Sequence, residues 1–303
     1  MKKKLSLADA LEDGLAKENR RVVSSWRALV ILRRATSKTP SHRRRWVGSP
    51  TPGNIKSILR RLAENGELAA LPHLPQLYRI TSPYARTPIQ EDEILLELHP
   101  YATLGFLSAF AFHSMINDLP KELHVTIPEQ GSGGMIPSGT NPDDWFGLDT
   151  VPGRVVDKIN KLPIHWHRLT STRIFGQEEY SPLGYPVRVT TPERTLLDGL
   201  LRPEWCGGME NVLRAWANYK DLINLNVLGE LVDRFHVTVL CQRVGFILEE
   251  LGLSHTSIEA WLSRSHRGGS SKLAGNLPFA PTFSKRWMLS INTPVDALHS
   301  EGT

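Results

Sequence analysis

The chain has 303 residues, of which 40% are hydrophobic and 22% charged, with a formal net charge of +5. This length suffices for two domains with separate cores, and the composition is that of a globular protein. No apolar run approaches the roughly 18 residues that a membrane-spanning helix needs. The amino terminus lacks the apolar segment of a signal peptide, and two cysteines, Cys206 and Cys241, are too few for a disulfide framework. We therefore expect a cytoplasmic protein without membrane contacts.

The positive charge is concentrated near the amino terminus. Residues 1–90 hold 18 Lys and Arg against 6 Asp and Glu, a net charge of +12, whereas the remainder holds 18 against 25, a net charge of −7. A basic block beside an acidic block is typical of a nucleic-acid-binding module joined to a part that does not bind phosphate. A basic tail without a partner is the alternative, but this charge lies within a pattern of predicted helices.

The amino-terminal segment predicts two helices followed by a basic connector. The first helix covers residues 6–19, with Ser6 as its cap, and the second covers residues 22–36. The connector SKTPSHRRRWVGSP contains prolines that keep any helix short, so a middle helix would have to lie within residues 41–48.

A third helix is predicted in the stretch TPGNIKSILRRLAENGEL, residues 51–68. Thr51 suits the amino-terminal cap, Pro52 the first turn, and Gly66 the left-handed position after the last turn. Four apolar residues recur at helical spacing and form one stripe, while the polar and basic residues fall outside it. The stripe consists of Ile55, Ile58, Leu59 and Leu62, and the polar face of Asn54, Lys56, Ser57, Arg60 and Arg61.

A β-hairpin is predicted directly after this helix. Residues 67–71 are predicted to form a short strand, the sequence PHLPQ a turn, and residues 77–80 a returning strand. Helices, a basic connector, a capped helix and a hairpin, in this order, make the winged helix-turn-helix pattern, in which the last helix enters the major groove of DNA. With residues 81–90 as a linker, residues 1–88 are predicted to form a winged helix-turn-helix DNA-binding domain.

Residues 89–303 predict a second, larger domain of mixed helices and strands, so that the whole chain is of the α+β class. A Gly-rich loop is expected at residues 130–144 and a frayed end at residues 292–303. Helices are predicted at residues 102–115, 192–201, 209–217, 227–235 and 239–251, and strands at 123–128, 164–169 and 186–190.

No catalytic or metal-binding arrangement stands out in the sequence. His165 and His167 alternate along a predicted strand and would share a face, but no third ligand occurs at a recognisable spacing. The sequence GSGG at residues 131–134 lacks the Lys and Ser or Thr of a phosphate loop. A nuclease cluster of carboxylates with a lysine is also missing, so we expect no enzymatic activity, no metal and no cofactor.

The segment VTTPERTLLDGL, residues 189–200, predicts a junction between a strand and a helix. Thr191 suits the cap, Pro192 the first turn, and Arg194 and Asp198 are placed to pair four residues apart. This block continues as LRPEWCGGMENVLRAW, is preceded by LHPYATLGFLSAFAFHSM and LHVTIP, and is followed by VGFILEELG and SKRWMLSIN. From about residue 94 to residue 292 the order of these segments resembles the carboxy-terminal domain of AbiEi-type antitoxins.

The resemblance implies a transcriptional autoregulator of a type IV toxin–antitoxin system of the abortive-infection kind. Such a protein binds inverted repeats in its own promoter through an amino-terminal winged helix-turn-helix, and two copies would fill the two half-sites. It also counters a nucleotidyltransferase toxin without necessarily forming a stable complex with it. The amino-terminal region here is longer and more basic than in the short form of the family, and LSAFAFHSM replaces a more typical ending in small and aromatic residues and Gly.

These observations lead to one preferred function and two alternatives. The preferred function is a DNA-binding repressor and antitoxin; the alternatives are a DNA nuclease targeted by a winged helix, and a basic module that binds RNA or an acidic protein. For the preferred function we expect contacts with DNA bases or phosphates from the third helix, with the phosphate backbone from the connector, and with DNA at the tip of the hairpin. The expected DNA-binding residues are Arg43, Arg44, Arg45, Asn54, Lys56, Ser57, Arg60, Arg61, His73 and Gln76.

Overall fold

The computed structural model describes residues 4–18, 20–74, 76–81, 89–117, 120–149, 151–182 and 184–299, apart from the side chains of residues 267 and 268. Within these residues the protein is of the α+β class, with ten α-helices and three β-sheets. The helices are α1 (Leu7–Lys17), α2 (Ser25–Lys38), α3 (Pro52–Glu64), α4 (Glu91–Leu98), α5 (Phe106–Phe112), α6 (Pro192–Leu201), α7 (Met209–Tyr219), α8 (Leu225–Phe235), α9 (Thr238–Glu250) and α10 (Ile258–Gly268). The strands are β1 (Val22–Ser24), β2 (Leu68–Ala70), β3 (Leu77–Ile80), β4 (Thr103–Leu104), β5 (Leu123–Pro128), β6 (Lys158–Ile159), β7 (Leu162–Leu169), β8 (Gln177–Tyr180), β9 (Val187–Thr190), β10 (Ser271–Lys272), β11 (Phe283–Ser284) and β12 (Leu289–Ser290). None of the described helices is both long and apolar enough to cross a membrane.

The chain divides into two compact units, each assembled from separate segments. The first consists of Met1–Ala102, Pro128–Lys161 and Glu179–Arg188, and the second of the three remaining segments. The boundary predicted after residue 88 does not coincide with this division, because α4 and the loop at residues 138–144 are bound to β1 and α2 by buried polar contacts. Residues 82–88, which hold most of the predicted linker, lie outside the described part of the chain.

Three helices and a three-stranded sheet form the amino-terminal half of the first unit. Ser6 caps α1, and its side chain and that of Asp9 each accept a hydrogen bond from the other residue's backbone N–H. The sheet has the strand order β1, β3, β2, and its pairs are antiparallel. Apolar side chains from all these elements pack into one core, among them Leu11, Leu32, Ile55, Leu59 and Leu68.

The second helix begins later than the sequence predicts, because residues 22–24 form strand β1. Val22 pairs with Arg79 and Ser24 with Leu77, so the β-branched valines enter the sheet. Ser24 then caps α2, since its side chain accepts a hydrogen bond from the backbone N–H of Arg27. The hydrophobic spacing of residues 22–36 is compatible with one continuous helix. That residues 22–24 form a strand instead is evident only from their pairing with β3, which is distant in sequence.

Two carboxylates of α4 cover the free edge of β1, and this helix was not predicted. Glu93 accepts hydrogen bonds from the backbone N–H groups of Arg21 and Val22, and Glu97 accepts one from that of Ser24. Glu97 also lies 2.9 Å from the Nε atom of Arg27, which in turn donates to the carbonyl oxygen of Ser138. The first unit is therefore connected by buried polar contacts as well as by its apolar core.

The second unit has a helical core around three fully buried tryptophans, Trp216, Trp261 and Trp287. Beside it, strands β7, β5, β4 and β9 are neighbours in that order. The predicted strands at 123–128, 164–169 and 186–190 correspond to β5, β7 and β9, and the four predicted helices from residue 192 to residue 251 correspond to α6–α9. The helix predicted at residues 102–115 is shorter, because residues 103 and 104 form β4. The structure adds α10 and the strands β8, β10, β11 and β12, which were not predicted.

The junction at β9 and α6 is explained by local physics. Thr191 caps α6, and the guanidinium Nε of Arg194 donates to the Asp198 carboxylate at 2.9 Å, as the four-residue spacing predicted. Arg194 also donates to the carbonyl oxygens of Arg173 and Phe175, and its guanidinium lies against the rings of Phe175 and Phe235. This part of the resemblance to the antitoxins thus consists of residues that hold the second unit together.

Candidate nucleic-acid interface

Helix α3 is held in place by one face and exposes the other. Its four apolar residues, the predicted stripe, are all at most 8% exposed and belong to the core of the first unit. The five polar and basic residues on the remaining face are exposed to solvent. They are Asn54, Lys56, Ser57, Arg60 and Arg61.

Asn54 has a structural role that the sequence analysis did not assign to it. Its side-chain oxygen accepts hydrogen bonds from the backbone N–H of Thr51 at 3.0 Å and from the Thr51 hydroxyl at 2.8 Å, which completes a capping box. The oxygen is therefore engaged, and the amide N–H₂ group is what Asn54 can offer to a ligand. A donor of this kind at a positively polarised helix start suits a phosphate oxygen or an acceptor on a base edge.

The three cations of α3 are exposed, and only one of them has an ion pair within the described residues. The Nε atom of Arg60 lies 3.7 Å from the Glu64 carboxylate, with both side chains more than two-thirds exposed. A pair of this type contributes roughly 0.3–0.5 kcal/mol, so a phosphate can displace it at small cost. Lys56 and Arg61 take part in no ion pair among the described side chains.

The connector before α3 is fastened to the amino terminus of the chain. A short 3-10 helix covers Ser41–Arg43, within the range predicted for a middle helix. Leu5 donates its N–H to the carbonyl of Arg43 and accepts the N–H of Arg45, at 2.9 and 3.0 Å. Arg43 and Arg45 are exposed, whereas Arg44 is half-buried. The three arginines are thus not equivalent, and Arg43 and Arg45 are the more accessible to a phosphate.

The hairpin between β2 and β3 has a tip whose described residues are 71–74, 76 and 77. Leu71 donates its N–H to the carbonyl of Leu77, and both His73 and Gln76 are exposed with left-handed backbone conformations. One exposed cation of the hairpin, Arg79 on β3, was missed by the sequence analysis. Because side chains alternate along a strand, Arg79 is expected on the same side as Leu77, which is buried. The exposure of Arg79 is therefore evident only from the structure.

His165 and His167, for which the sequence analysis found no third metal ligand, lie close to Glu122 and His124 in the structure. His165 and His167 lie on β7, His124 lies on the neighbouring strand β5, and Glu122 directly precedes β5. The carboxylate of Glu122 contacts rings from both strands, at 3.0 Å from His124 and 2.9 Å from His165. Sequence spacing missed this cluster because its two halves are about 40 residues apart.

Among known proteins, similarity to this chain was found in the fold and not in the sequence. No protein-family model matches the sequence, and no curated protein sequence matches it significantly. The structure is similar to the crystal structure of the RV2827C protein from Mycobacterium tuberculosis, with a TM-score of 0.53 at 15% identity. The match covers 97% of this chain and 93% of the other, so the two proteins share their fold over nearly their whole length.

Proposed function

We propose that this protein is a DNA-binding transcriptional repressor that reads the major groove with helix α3. The observation that carries this proposal is the exposed face of α3, which presents three cations and two hydrogen-bonding side chains to solvent. The opposite face of the helix is packed into the core of the first unit. The order of α2, a short 3-10 helix, α3 and an antiparallel hairpin supports a winged helix-turn-helix. In this arrangement the hairpin tip, with His73 and Gln76, contacts the flanking DNA.

The proposed DNA-binding residues contact either base edges or phosphates. Arg60 and Arg61 suit guanine edges or phosphates, Lys56 suits phosphates, and Asn54 and Ser57 lie near the start of the helix. The exposed Arg43 and Arg45 and the half-buried Arg44 contact the phosphate backbone from the connector. Inverted repeats in the promoter of the protein's own gene would be occupied by two copies.

The proposed biological role is that of the antitoxin in a type IV toxin–antitoxin system in the cytoplasm. Its support is the resemblance of residues 94–292 to AbiEi-type antitoxins. The partner is then a nucleotidyltransferase toxin, and the second unit carries no catalytic activity of its own. The expected toxin is a nucleotidyltransferase encoded by a neighbouring gene. Cells that express such a toxin should grow again when this protein is co-expressed, and toxicity that persists in its presence would refute the antitoxin role.

A gel-shift experiment tests DNA binding with a matched pair of variants. Arg60 pairs with Glu64 on α3, and Arg214 pairs with Glu210 on α7, so both arginines belong to exposed pairs four residues apart on a helix. On a duplex from the region upstream of the gene, Arg60→Ala should weaken binding by about 1–3 kcal/mol, and Arg214→Ala should not change it. Equal losses for both variants would contradict the assignment of α3.

The dependence on salt and on sequence separates DNA reading from general attraction. Arg45→Ala should weaken binding to the upstream duplex and to a scrambled duplex equally, and should reduce the log–log slope of affinity against salt by about 0.9. Arg60→Ala should reduce the preference for the upstream duplex. If wild-type protein binds the scrambled duplex or an RNA duplex as tightly as the upstream duplex, a basic module without sequence preference replaces the repressor.

A further inference from the structure

Three histidines on the adjacent strands β5 and β7 of the second unit, and a glutamate directly before β5, form a cluster that the proposed DNA-binding function does not use. The carboxylate oxygens of Glu122 lie 3.0 Å from Nε2 of His124 and 2.9 Å from Nε2 of His165. The other ring nitrogen of His124, Nδ1, lies 3.0 Å from Nε2 of His167. We call these residues, Glu122, His124, His165 and His167, the histidine cluster.

Three potential ligand atoms of the histidine cluster lie close enough together to bind one metal ion. One ligand atom each from Glu122, His124 and His165 lie within 4.8 Å of one another. Zinc bound tetrahedrally at about 2.0–2.1 Å separates its ligand atoms by roughly 3.3–3.4 Å. Nε2 of His124 lies 3.0 Å from one Glu122 oxygen and Nε2 of His165 lies 2.9 Å from the other, so each of these contacts has to open by about 0.4 Å to admit the ion.

The surroundings of His124 are those of a supported metal ligand. Its side chain is 4% exposed, and a ligand histidine in proteins almost always has a hydrogen bond at its second nitrogen. With zinc on Nε2, the ring proton of His124 lies on Nδ1 and is donated to His167. His167 is itself fixed, because its ring packs 4.0 Å from that of Trp205 and 4.7 Å from that of Phe106.

The donor set and the accessibility decide which ion fits. Two imidazole nitrogens and one carboxylate oxygen suit zinc and its neighbours, whereas magnesium and calcium prefer oxygen ligands alone. The side chains of His165 and Glu122 are 48% and 42% exposed, so the ion has a path from solvent and a fourth position open to water. We propose that Glu122, His124 and His165 bind one Zn²⁺ ion, with His167 orienting His124.

Zinc titration of the untagged full chain, after treatment with a chelator, tests the proposal. Calorimetry with ZnCl₂ should show saturable binding of one ion per chain. His165→Ala and Glu122→Ala each remove a ligand and should weaken zinc binding more than 10-fold, and His167→Phe, which removes the hydrogen-bond partner of His124, should weaken it about 10–100-fold. Cobalt in place of zinc should give the visible absorption of a tetrahedral site in the wild type.

The matched control is another histidine paired with a glutamate on the surface. Nε2 of His299 lies 3.2 Å from the Glu250 carboxylate, with exposures of 52% and 34%, but no third ligand is placed beside this pair among the described residues. His299→Ala should leave zinc binding unchanged. Circular dichroism confirms that each variant is folded. If the wild type binds no zinc, or if His165→Ala binds it as tightly as the wild type, the cluster is a hydrogen-bonded network only.

Discussion

Glu97 makes more buried polar contacts than any single expected DNA-binding residue makes. One of its carboxylate oxygens accepts from Arg20 at 3.1 Å and from Arg27 at 2.9 Å, and the other accepts from the backbone and the hydroxyl of Ser24. All of these side chains are at most 6% exposed. Burial lowers the pKa of Arg27, and the charge of Glu97 opposes this shift. Glu97 therefore contacts both buried guanidinium groups of the first unit, and Arg20 has a second partner in Glu18, at 3.4 Å.

Glu97→Gln should lower the free energy of unfolding by roughly 3–5 kcal/mol, because the buried Arg27 loses its ion-pair partner and Arg20 keeps only Glu18, at 3.4 Å, while the volume is unchanged. Urea denaturation followed by circular dichroism measures this loss. Glu64→Gln, which removes the exposed partner of Arg60, is the control and should change the free energy by less than about 0.5 kcal/mol. A Glu97→Gln variant as stable as the Glu64→Gln variant would show that the buried pair contributes no net stability.

Glu12 gives the first unit a stability that depends on pH. Burial, a hydrogen bond with Glu67 and the charge of Glu67 all raise the pKa of Glu12, from 4.5 to about 7. Between these pH values the folded chain holds a proton that the unfolded chain has lost, so the free energy of unfolding decreases as pH rises from 4.5 to 7. Below pH 4.5 this contribution is fully present, and above pH 7 it is absent.

Glu12→Gln keeps the hydrogen bond without the charge, so it should be more stable than the wild type at pH 8 and nearly equal to it at pH 5. Because Glu12 is largely exposed, solvent screens the effect and we expect a fraction of a kcal/mol. Thermal melts of both proteins at pH 5 and pH 8 measure the difference. A gap in melting temperature that is the same at both values would remove Glu12 as its source.

At the scale of elements, helix α9 depends on a glycine in its middle. A Cβ atom on Gly245 would lie 2.0 Å from the ring of Trp287, which is fully buried and donates its indole N–H to Glu249 at 2.7 Å. Alanine normally favours a helix over glycine by about 1 kcal/mol. Here we expect Gly245→Ala to destabilise the protein by about 1–3 kcal/mol, since the ring that has to shift is fully buried and hydrogen-bonded to Glu249.

The control for Gly245→Ala is Gly53→Ala in α3. The nearest atom to a Cβ on Gly53 is the Thr51 hydroxyl oxygen at 3.9 Å, so alanine fits there and should be neutral or stabilising. Urea unfolding of both variants provides the comparison. Opposite signs support the close packing of Trp287 on α9, and two equal effects would contradict it.

Elements whose ends are marked by their own residues were predictable from the sequence. Helix α3 was recognised from Thr51 and Pro52, and α6 from Thr191 and Pro192, because these caps act within one turn. Strand β1 and helix α4 were missed for the opposite reason. Three residues of β1 are recognisable only through pairing with β3, and α4 has two turns with both apolar and acidic residues buried. Their stability comes from contacts far apart in sequence.

The same distinction applies to the candidate sites. The basic face of α3 was predictable because helical spacing alone separates it from the apolar stripe. The use of the Asn54 oxygen in the cap required the orientation of its side chain. The histidine cluster required knowledge of which strands are neighbours, because Glu122 and His165 come from β5 and β7 by way of a long intervening segment.

At the scale of the whole molecule, charge remains unevenly distributed between the compact units. The first unit holds 22 Lys and Arg against 16 Asp and Glu, a net charge of +6, and the second holds 14 against 15, a net charge of −1. The excess of +12 in residues 1–90 is therefore halved by acidic residues from later segments of the same unit. These include Glu97 and Asp144, which pair with Arg27 and Arg34. The cations that remain for the proposed DNA contacts are the exposed ones and the half-buried Arg44.

The interleaved first unit predicts the behaviour of a fragment that ends at residue 88. This fragment retains Arg20 and Arg27 but lacks Glu97, and it also lacks the Glu93 carboxylate that accepts the N–H groups at the start of β1. A loss of roughly 3–5 kcal/mol is a large part of the 5–15 kcal/mol that stabilises a typical domain, and fewer than 90 residues have little reserve. We expect the fragment to show no cooperative thermal transition by circular dichroism, whereas the full chain does. Replacing Arg20 and Arg27 with methionine removes the two cations that Glu97 contacts in the full chain, so this variant of the fragment should regain part of its structure. A fragment of residues 1–88 that melts cooperatively without these replacements would show that the amino-terminal helices fold independently of α4.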